Sequence, residues 1–556
     1  MRIANKTTFI AALTAATICL IVYLRALSCD FVNFDDQEFI VGNSAIRHLD
    51  GNLLVWAFTK GLDIWIPLTW LSFAVDYHFW QLNPMGYHLT NILLHAVNTA
   101  VVVLIADRLL RREPGLTSGT EGIGDQQRHP YCYPAMLLLA GLLWGIHPLR
   151  VESVAWATER KDVLNGVFSL STILFYLRHT QQTEAAGSRA IVTRDYLLSL
   201  TLFLLSLMAK PVSVVIPAML LVADWYPLGR LRKENLRLVL VEKIPYVVLS
   251  ATVAGATIFL AAHKHILASA SSLSIGQRFI ISGNAVFEYC RLLLYPAGIL
   301  PLHILPFPIP PAFAVKTAAV ALITCCCIYA GKKYRFVPAT WFSFVIPLLP
   351  VLGLLQNGSQ AFAARYSYLP SVVPCIVAAA LIAVAYRKLV GGEKRYPRFL
   401  AAALIVALPL FYAGMTQRHI NIWNNSGALW TRVIDYQPLG RAYKSRGAYY
   451  LANGDYPAAI RDFTAAIDIA VGYEMREETF NLFAGRGAAY GNEGQHENAV
   501  KDFSTAIELY PHPLYYYHRG LSLQALGKEN EAARDFERAG GEEGPIVWFK
   551  MKYGEN

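Results

Sequence analysis

The chain has 556 residues, 55% hydrophobic and 16% charged, with a mean hydropathy of +0.35, where an average soluble domain carries roughly 25% charge. That balance excludes an ordinary soluble enzyme and predicts a polytopic membrane protein. The net charge is +10, yet residues 441–556 hold 13 Lys and Arg against 17 Asp and Glu, which leaves +14 on the rest. The basic excess therefore reads as loop charge that orients membrane helices, and nucleic acid is excluded as a partner.

Residues 7–27 form an apolar run after Arg2 and Lys6, long enough for a bilayer that needs about 20 residues. Ala26-Leu27-Ser28-Cys29 is a poor cleavage or lipidation site and Arg25 interrupts the run, so an uncleaved helix with a cytosolic N-terminus is expected. From residue 28 to 87 the chain is too polar to span but carries Trp56, Trp65, Trp70, Tyr77, Trp80 and Tyr87. Such amphipathic rings favour the headgroup zone, so a large external loop on the membrane is expected. Near its start stands Asp30-Phe31-Val32-Asn33-Phe34-Asp35-Asp36-Gln37-Glu38. Adjacent carboxylates at a membrane exit are either functional or simply solvated.

Further spans are expected at about 88–106, 133–149, 163–177, 196–210, 212–225, 245–262, 312–330, 337–355, 368–386 and 398–416, giving about eleven in all. The segment 279–297, with Asn284, Glu288 and Arg291, reads as an interfacial helix in a second external region, 263–311. Basic clusters such as Arg230, Arg232, Lys233, Arg237 and Lys243 then fall on the cytosolic side, and the C-terminus is external. Eight cysteines include Cys325-Cys326-Cys327, and none has metal-ligand spacing.

After Thr416 the composition becomes that of a soluble helical array. Gly447, Gly454, Ala459, Phe463 and Ala466 recur as Gly487, Gly494, Ala499, Phe503 and Ala506, then as Gly520, Gly527, Ala532, Phe536 and Ala539. Small residues let paired helices approach and the Phe fills the space between them, the pattern of a tetratricopeptide repeat. The expected domains are 1–416 in the membrane and 417–545 as the array, with repeats at about 440–472, 480–513 and 513–545. An insertion lies around 471–478, and Trp423–Pro438 reads as a preceding partial unit. Such an array is a docking surface for a protein or peptide.

The second informative stretch runs from His147 to Leu164 and includes Arg150, Glu152, Trp156, Glu159, Arg160, Lys161 and Asp162. It can be a solvated turn. Its shortness, its predicted external position and the helical spacing of Glu152, Trp156 and Glu159 favour a part of a site.

The run His-Pro-x-x-Val-Glu-Ser-Val-Ala-Trp followed by Arg-Lys-Asp-Val-Leu resembles that of the transmembrane-and-tetratricopeptide-repeat proteins, a branch of the GT-C membrane glycosyltransferases similar to the protein O-mannosyltransferases. The resemblance covers nearly the whole chain, although the repeats here are few and Lys210-Pro211 stands where that family has an acidic residue after the Lys. It implies an all-α, GT-C-type helical membrane domain followed by an α-solenoid. It implies an enzyme that moves a sugar, a mannose-like hexose, from a polyprenyl-phosphate donor to an acceptor hydroxyl on the external face with inversion. Protein Ser/Thr is the expected acceptor, with a lipid or surface glycan as the alternative, and a non-catalytic anchored docking protein as a further one. One of Asp35 and Asp36 is the expected base. The leaving phosphate needs cations, for which Arg160, Lys161, Lys210 and Arg365 are candidates. His147, Arg150, Glu152, Trp156 and Asp162 are expected to contact substrate or support those that do. No cofactor is certain, and a divalent metal, Mg or Mn, stays open. The expected location is the inner membrane of a bacterium, with a periplasmic site, or the endoplasmic reticulum of a eukaryote.

Overall fold

The computed structural model describes residues 5–62, 64–112, 132–187, 190–263, 273–353, 360–390, 396–472 and 479–540. They fall into two compact units. One comprises the residues up to Cys29 with those from His48 to Ile420, and the other comprises Asp30–Arg47 with the chain from Asn421 on. Among the described residues there is no strand, only an isolated bridge between Ile304 and Gln360.

The first unit contains α1 (Lys6–Tyr23), α2 (Pro67–Trp80), α3 (Pro84–Leu110), α4 (Cys132–Gly145), α5 (Arg160–Ala185), α6 (Arg194–Ala209), α7 (Ile216–Trp225), α8 (Leu236–His263), α9 (Ile275–Leu294), α10 (Pro311–Ala330), α11 (Phe336–Val345), α12 (Val372–Val390) and α13 (Tyr396–Ile420). The segments expected to span are helical over most of their described lengths, with breaks after Gly145 and Val345. Among the described residues five, Lys6–Ser28, Pro84–Leu110, Leu236–Phe259, Pro311–Ala330 and Val372–Leu389, are long and apolar enough to cross a bilayer. A sixth is added if Tyr133–Gly145 and Pro148–Ala155, bent by 49°, are one span. The protein is integral to a membrane.

The aromatics between residues 28 and 87 need a correction. Trp70 and Phe73 of α2, and Tyr87 of α3, are fully buried. Trp70, Phe73 and Ala74 recur at helical spacing, so this stretch supplies core to the helical body, with α2 packed on α3. Helix α9 has the amphipathic character expected of it. It starts with a Ser274–Gln277 capping box, buries Ile281, Ala285, Tyr289 and Leu292 against Leu149, Phe344 and Phe362, and leaves Phe279 and Leu294 exposed.

Helix α3 contacts α1, α4 and α5. Asn83 caps its first turn by accepting from the Met85 N–H at 3.1 Å, and Pro84 presets the backbone. His88, Asn91, His95 and Asn98 share one face and are completely buried. Where α4 stops, the Gly145 carbonyl accepts from His95 Nε2 at 2.8 Å. That bond fixes the tautomer, so Nδ1 accepts from the Tyr368 hydroxyl at 2.6 Å. Asn98 donates to the same hydroxyl at 2.9 Å and to the Val163 carbonyl of α5 at 2.8 Å. Gly166 permits this approach, because a Cβ there would stand 2.7 Å from both Asn98 Nδ2 and Tyr368 Cε1.

The second unit contains α14 (Ser426–Tyr436) and three helix pairs: α15 (Gly440–Ala452) with α16 (Tyr456–Gly472), α17 (Thr479–Asn492) with α18 (His496–Leu509), and α19 (Pro513–Ala525) with α20 (Glu529–Arg538). Most of the expected insertion, from residue 473 to 478, lies outside the described residues. Gly454, Gly494 and Gly527 close the turns at φ of 78°, 81° and 73°, a left-handed conformation that explains their recurrence. One interaction escaped the sequence pattern. Arg446, Arg486 and Arg519 grip Asp462, Asp502 and Asp535 through two bonds each of 2.7–2.9 Å. Their remaining Nη1 donates to Thr431, Thr464 and Ser504, respectively, on the preceding unit. Thr431 belongs to α14, so α14 serves as the helix that precedes the first full repeat.

Arg486→Ala removes a planar clamp and leaves the Asp502 carboxylate, 5% exposed, without its cation. Breaking such a pair should cost about 2–4 kcal/mol. Hydrogen exchange should show this as lost protection across α17 and α18, with the membrane helices unchanged.

Candidate active site

The first-loop pair belongs to the second unit. The chain is not extended there. The Asp35 carbonyl accepts from the Glu38 and Phe39 N–H groups, and Asp36 begins a helical turn at φ −62°, ψ −31°. Neighbouring side chains thus diverge by a helical step and take different surroundings. Asp36 is fully buried and its Oδ2 accepts from the Val32 N–H at 2.9 Å. Asp35 is half-buried. Asp36 therefore ties the loop together, and Asp35 is the more accessible carboxylate.

In the first unit the stretch from His147 to Lys161 is a series of short turns. A 3₁₀ turn at Pro148–Arg150 leads to a helix at Val151–Ala155, a second 3₁₀ turn at Ala157–Glu159 and then the start of α5. These turns aim Glu152, Glu159, Lys161 and Asp162 at Lys210, which follows α6 in extended conformation, and at Arg365 on the turn Ala364–Ser367. Three cations converge on Glu159, with Lys161 Nζ at 3.0 Å, Lys210 Nζ at 3.4 Å and Arg365 Nε at 3.3 Å. Arg365 also clamps Glu152, through Nη1 and through its backbone N–H at 3.0 Å. Lys210 pairs with Asp162, which accepts from Ser153 Oγ at 3.0 Å. The Trp156 ring lies 5.5 Å from both Lys161 Nζ and Arg365 Cζ, and Tyr366 lies 4.8 Å from Arg365 Cζ.

The residual exposure of this cluster belongs mainly to the cations. Lys210 keeps 14% and Arg365 10% of their side-chain surface, against 1% for Glu159 and 2% for Glu152. Burial works against the charge on Glu159, but Lys161, Lys210 and Arg365 together hold its carboxyl well below the usual carboxylate range. For Asp162 burial wins over the Lys210 ammonium, and its carboxyl is pushed up to about 6. The arrangement can take an anion against its open, cationic side while the carboxylates beneath keep the cations in place.

Three expected site residues make their bonds outside this cluster. Arg160 is fully buried, donating to Asp76 Oδ2 at 2.5 Å, to the Tyr87 carbonyl at 2.9 Å and to Asn91. His147 is a turn cap, with Nδ1 accepting from the Leu149 N–H and Nε2 donating to the Leu293 carbonyl. Arg150 lies over both the Trp144 and Tyr368 rings, at 5.7 and 5.5 Å, and donates to Ser367 at 2.7 Å, which supports the turn that carries Arg365. Sequence reasoning missed Asp76, Asn91, Ser153 and Tyr366. Ser153 stood inside the second motif without a role of its own, and Asn91 left a signal as part of the polar stripe on an apolar helix. Among the described residues no three His, Cys, Asp or Glu side chains form a set that could hold a metal.

Comparison with known proteins agrees with this architecture. Residues 481–513 match the tetratricopeptide repeat model. The chain is similar to the human protein O-mannosyl-transferase TMTC4, with 29% identity over 234 residues, covering 40% of this chain and 30% of that protein. It is similar also to the protein O-mannosyl-transferase Tmtc1 of Drosophila melanogaster, with 30% identity over 180 residues, covering 30% of this chain and 18% of that protein. For tmtc2 of Xenopus laevis the identity is 31% over 181 residues, covering 31% and 19%. The chain spans under a third of the length of these relatives. Among solved structures it is similar to ArnT from Cupriavidus metallidurans, bound there to undecaprenyl phosphate, at 14% identity and a TM-score of 0.35, covering 94% of this chain and 87% of that one. The chain thus resembles the transmembrane-and-tetratricopeptide protein O-mannosyltransferases, as its second motif indicated.

Glu159→Gln should leave Lys161, Lys210 and Arg365 facing one another without their shared counter-charge. Thermal stability in detergent should fall by about 2–4 kcal/mol, and added inorganic phosphate should restore part of it by occupying the cationic side.

Proposed function

We propose that this protein is a GT-C-type membrane glycosyltransferase that transfers a mannose-like hexose from a polyprenyl-phosphate donor to Ser or Thr hydroxyls of a protein, on the external face of its membrane. The observation that carries this is the convergence of Lys161, Lys210 and Arg365 on Glu159 with the cations outermost, a receptor for the one group that every such donor contains. An apolar cavity of about 250 Å³ lined by Leu109, Ile173, Leu369, Val372 and Val384 supports a lipid-linked donor, since it suits part of an isoprenoid chain.

In this scheme the acceptor oxygen attacks the anomeric carbon while the bond from that carbon to the phosphate oxygen breaks. The electron pair leaves with the phosphate, and Lys161, Lys210 and Arg365 stabilise the charge that builds there. The hydroxyl proton passes to Asp35. A single displacement inverts the anomeric centre. The tetratricopeptide array holds the acceptor chain, and Asp36 keeps the base-bearing loop in shape.

Asp35→Asn preserves shape and removes basicity. Turnover with a labelled polyprenyl-phosphate sugar and a peptide acceptor should fall about 10²–10⁴-fold, with folding and donor binding near normal. Asp36→Asn, which still offers an oxygen to the Val32 N–H, should cost much less. Equal wild-type turnover in both variants removes the first loop from the reaction.

The raised Asp162 carboxyl supplies a pH dependence. Above about pH 6 it is ionised and neutralises Lys210; below, it takes a proton and leaves Lys210 in positive excess. The donor, a phosphodiester, keeps a constant charge across this range. Its affinity should therefore rise severalfold between pH 7 and pH 5, an effect of about one pairwise charge. Asp162→Asn should bind donor more tightly at pH 7 and show no such rise.

A further inference from the structure

Within the second unit, the loop that bears Asp35 is fastened to the helices at the head of the array most densely at Asn33. Asn33 donates from its backbone N–H to Ser426 Oγ at 2.8 Å and from Nδ2 to the Ser445 carbonyl at 2.7 Å, and its Oδ1 accepts from Trp430 Nε1 at 2.7 Å. All of its amide heteroatoms and its backbone N–H are thus engaged with α14 and α15, the helices at the head of the array. The flanking residues join in. The Asp30 N–H donates to the Asn424 carbonyl at 2.8 Å. Phe34 meets the buried Trp430 ring edge-on at 5.5 Å and lies 5.3 Å beneath the Arg441 guanidinium. Two residues beyond Asn33 stands Asp35, with Asp36 closing the turn onto Val32.

A loop with only a membrane-exit role has no need of this specificity. A three-point amide latch fixes both the rotation and the register of the segment, and a base has to be placed to a fraction of an ångström. We infer that Asn33 is a positioning residue that locks the Asp35 loop to the tetratricopeptide array, so that the body which grips the acceptor polypeptide also sets the place of the base. The inference rests on the proposed function for the role of Asp35, but the latch itself is a property of the second unit. Acceptor segments held by α15 and the following pairs then meet a base in fixed register with them. Donor recognition, which uses the Lys161, Lys210 and Arg365 cluster, does not depend on Asn33.

Two variants of the full-length protein in lipid nanodiscs test this. Asn33→Ala removes the amide latch, and Trp430→Phe removes the indole N–H and shrinks the buried ring while leaving an aromatic side chain against Phe34. Hydrogen exchange across residues 31–42 should speed up in both, with α17 to α20 still protected. Peptide turnover, kcat, should fall about 10–100-fold, the scale of a misplaced reacting group, while the KM for the polyprenyl-phosphate sugar stays at its wild-type value. Asn33→Gln, which keeps the amide but lengthens its reach, should recover neither. Wild-type kcat in both Asn33→Ala and Trp430→Phe overturns the inference whether or not the loop loosens, and so does an unchanged exchange rate in both. Absence of sugar transfer by the wild-type protein sinks the proposed function instead, and the exchange measurement then decides on the latch alone.

Discussion

Backbone carbonyls released where helices break inside an apolar body have no water to turn to, and each one left unpaired costs several kcal/mol (roughly 2–7). The first unit breaks its chain repeatedly between Gly145 and Arg160, and α3 provides the partners. His95 takes the Gly145 carbonyl, Asn91 takes those of Val154 and Trp156, and Asn98 takes that of Val163. The donors sit four and three residues apart, so one straight helix face matches a sequence of turns. Tyr368, tied to both His95 and Asn98, extends the same support to the turn that bears Arg365. The irregular segment can therefore carry charged side chains without fraying.

The charge cluster stands on that support. Moving single ions out of water is expensive, and a balanced set of cations and carboxylates reduces the cost only when each is held in place. Here every carboxylate has at least two donors: Glu152 takes two from Arg365, Glu159 three cations, and Asp162 a cation and a hydroxyl. Arg160 and Asp76 form a separate buried pair that fixes the start of α5 against α2. The charged residues of the second motif thus do two kinds of work, and neighbours such as Arg160 and Lys161 fall on different sides of that division because successive helical residues point about 100° apart.

The array was legible because its requirement is periodic: five small or aromatic positions recur at the same offsets, and the helices appear where that spacing puts them. The two charged stretches were legible as well, since ionisable residues between apolar runs are conspicuous. Their division of labour was not. Nothing local distinguishes Arg160, turned inward to Asp76, from Lys161, turned to Glu159. The polar stripe of α3 was visible as spacing, but a His or Asn in an apolar helix reads as core until its carbonyl partners are known. Least legible was the attachment of Asp30–Arg47 to the second unit. Asn33 and Ser426 are 393 residues apart, and only the fold can bring such positions together. The burial of Trp70 shows the same limit, because an amphipathic ring suits a headgroup zone and a packed interior equally.

Each arginine clamp reaches backward, from its own repeat to a hydroxyl of the unit before it, and the first of them ends on Thr431 of α14. The array is therefore anchored at its α14 end and grows away from it by a rule that does not change from one unit to the next. Duplication or deletion of a whole repeat beyond α16 leaves the bonds of Asn33 untouched, since those to Ser426, Ser445 and Trp430 end on α14 and α15. The length of the solenoid is therefore decoupled from the placement of Asn33, and a unit added or removed beyond α16 leaves that attachment in place.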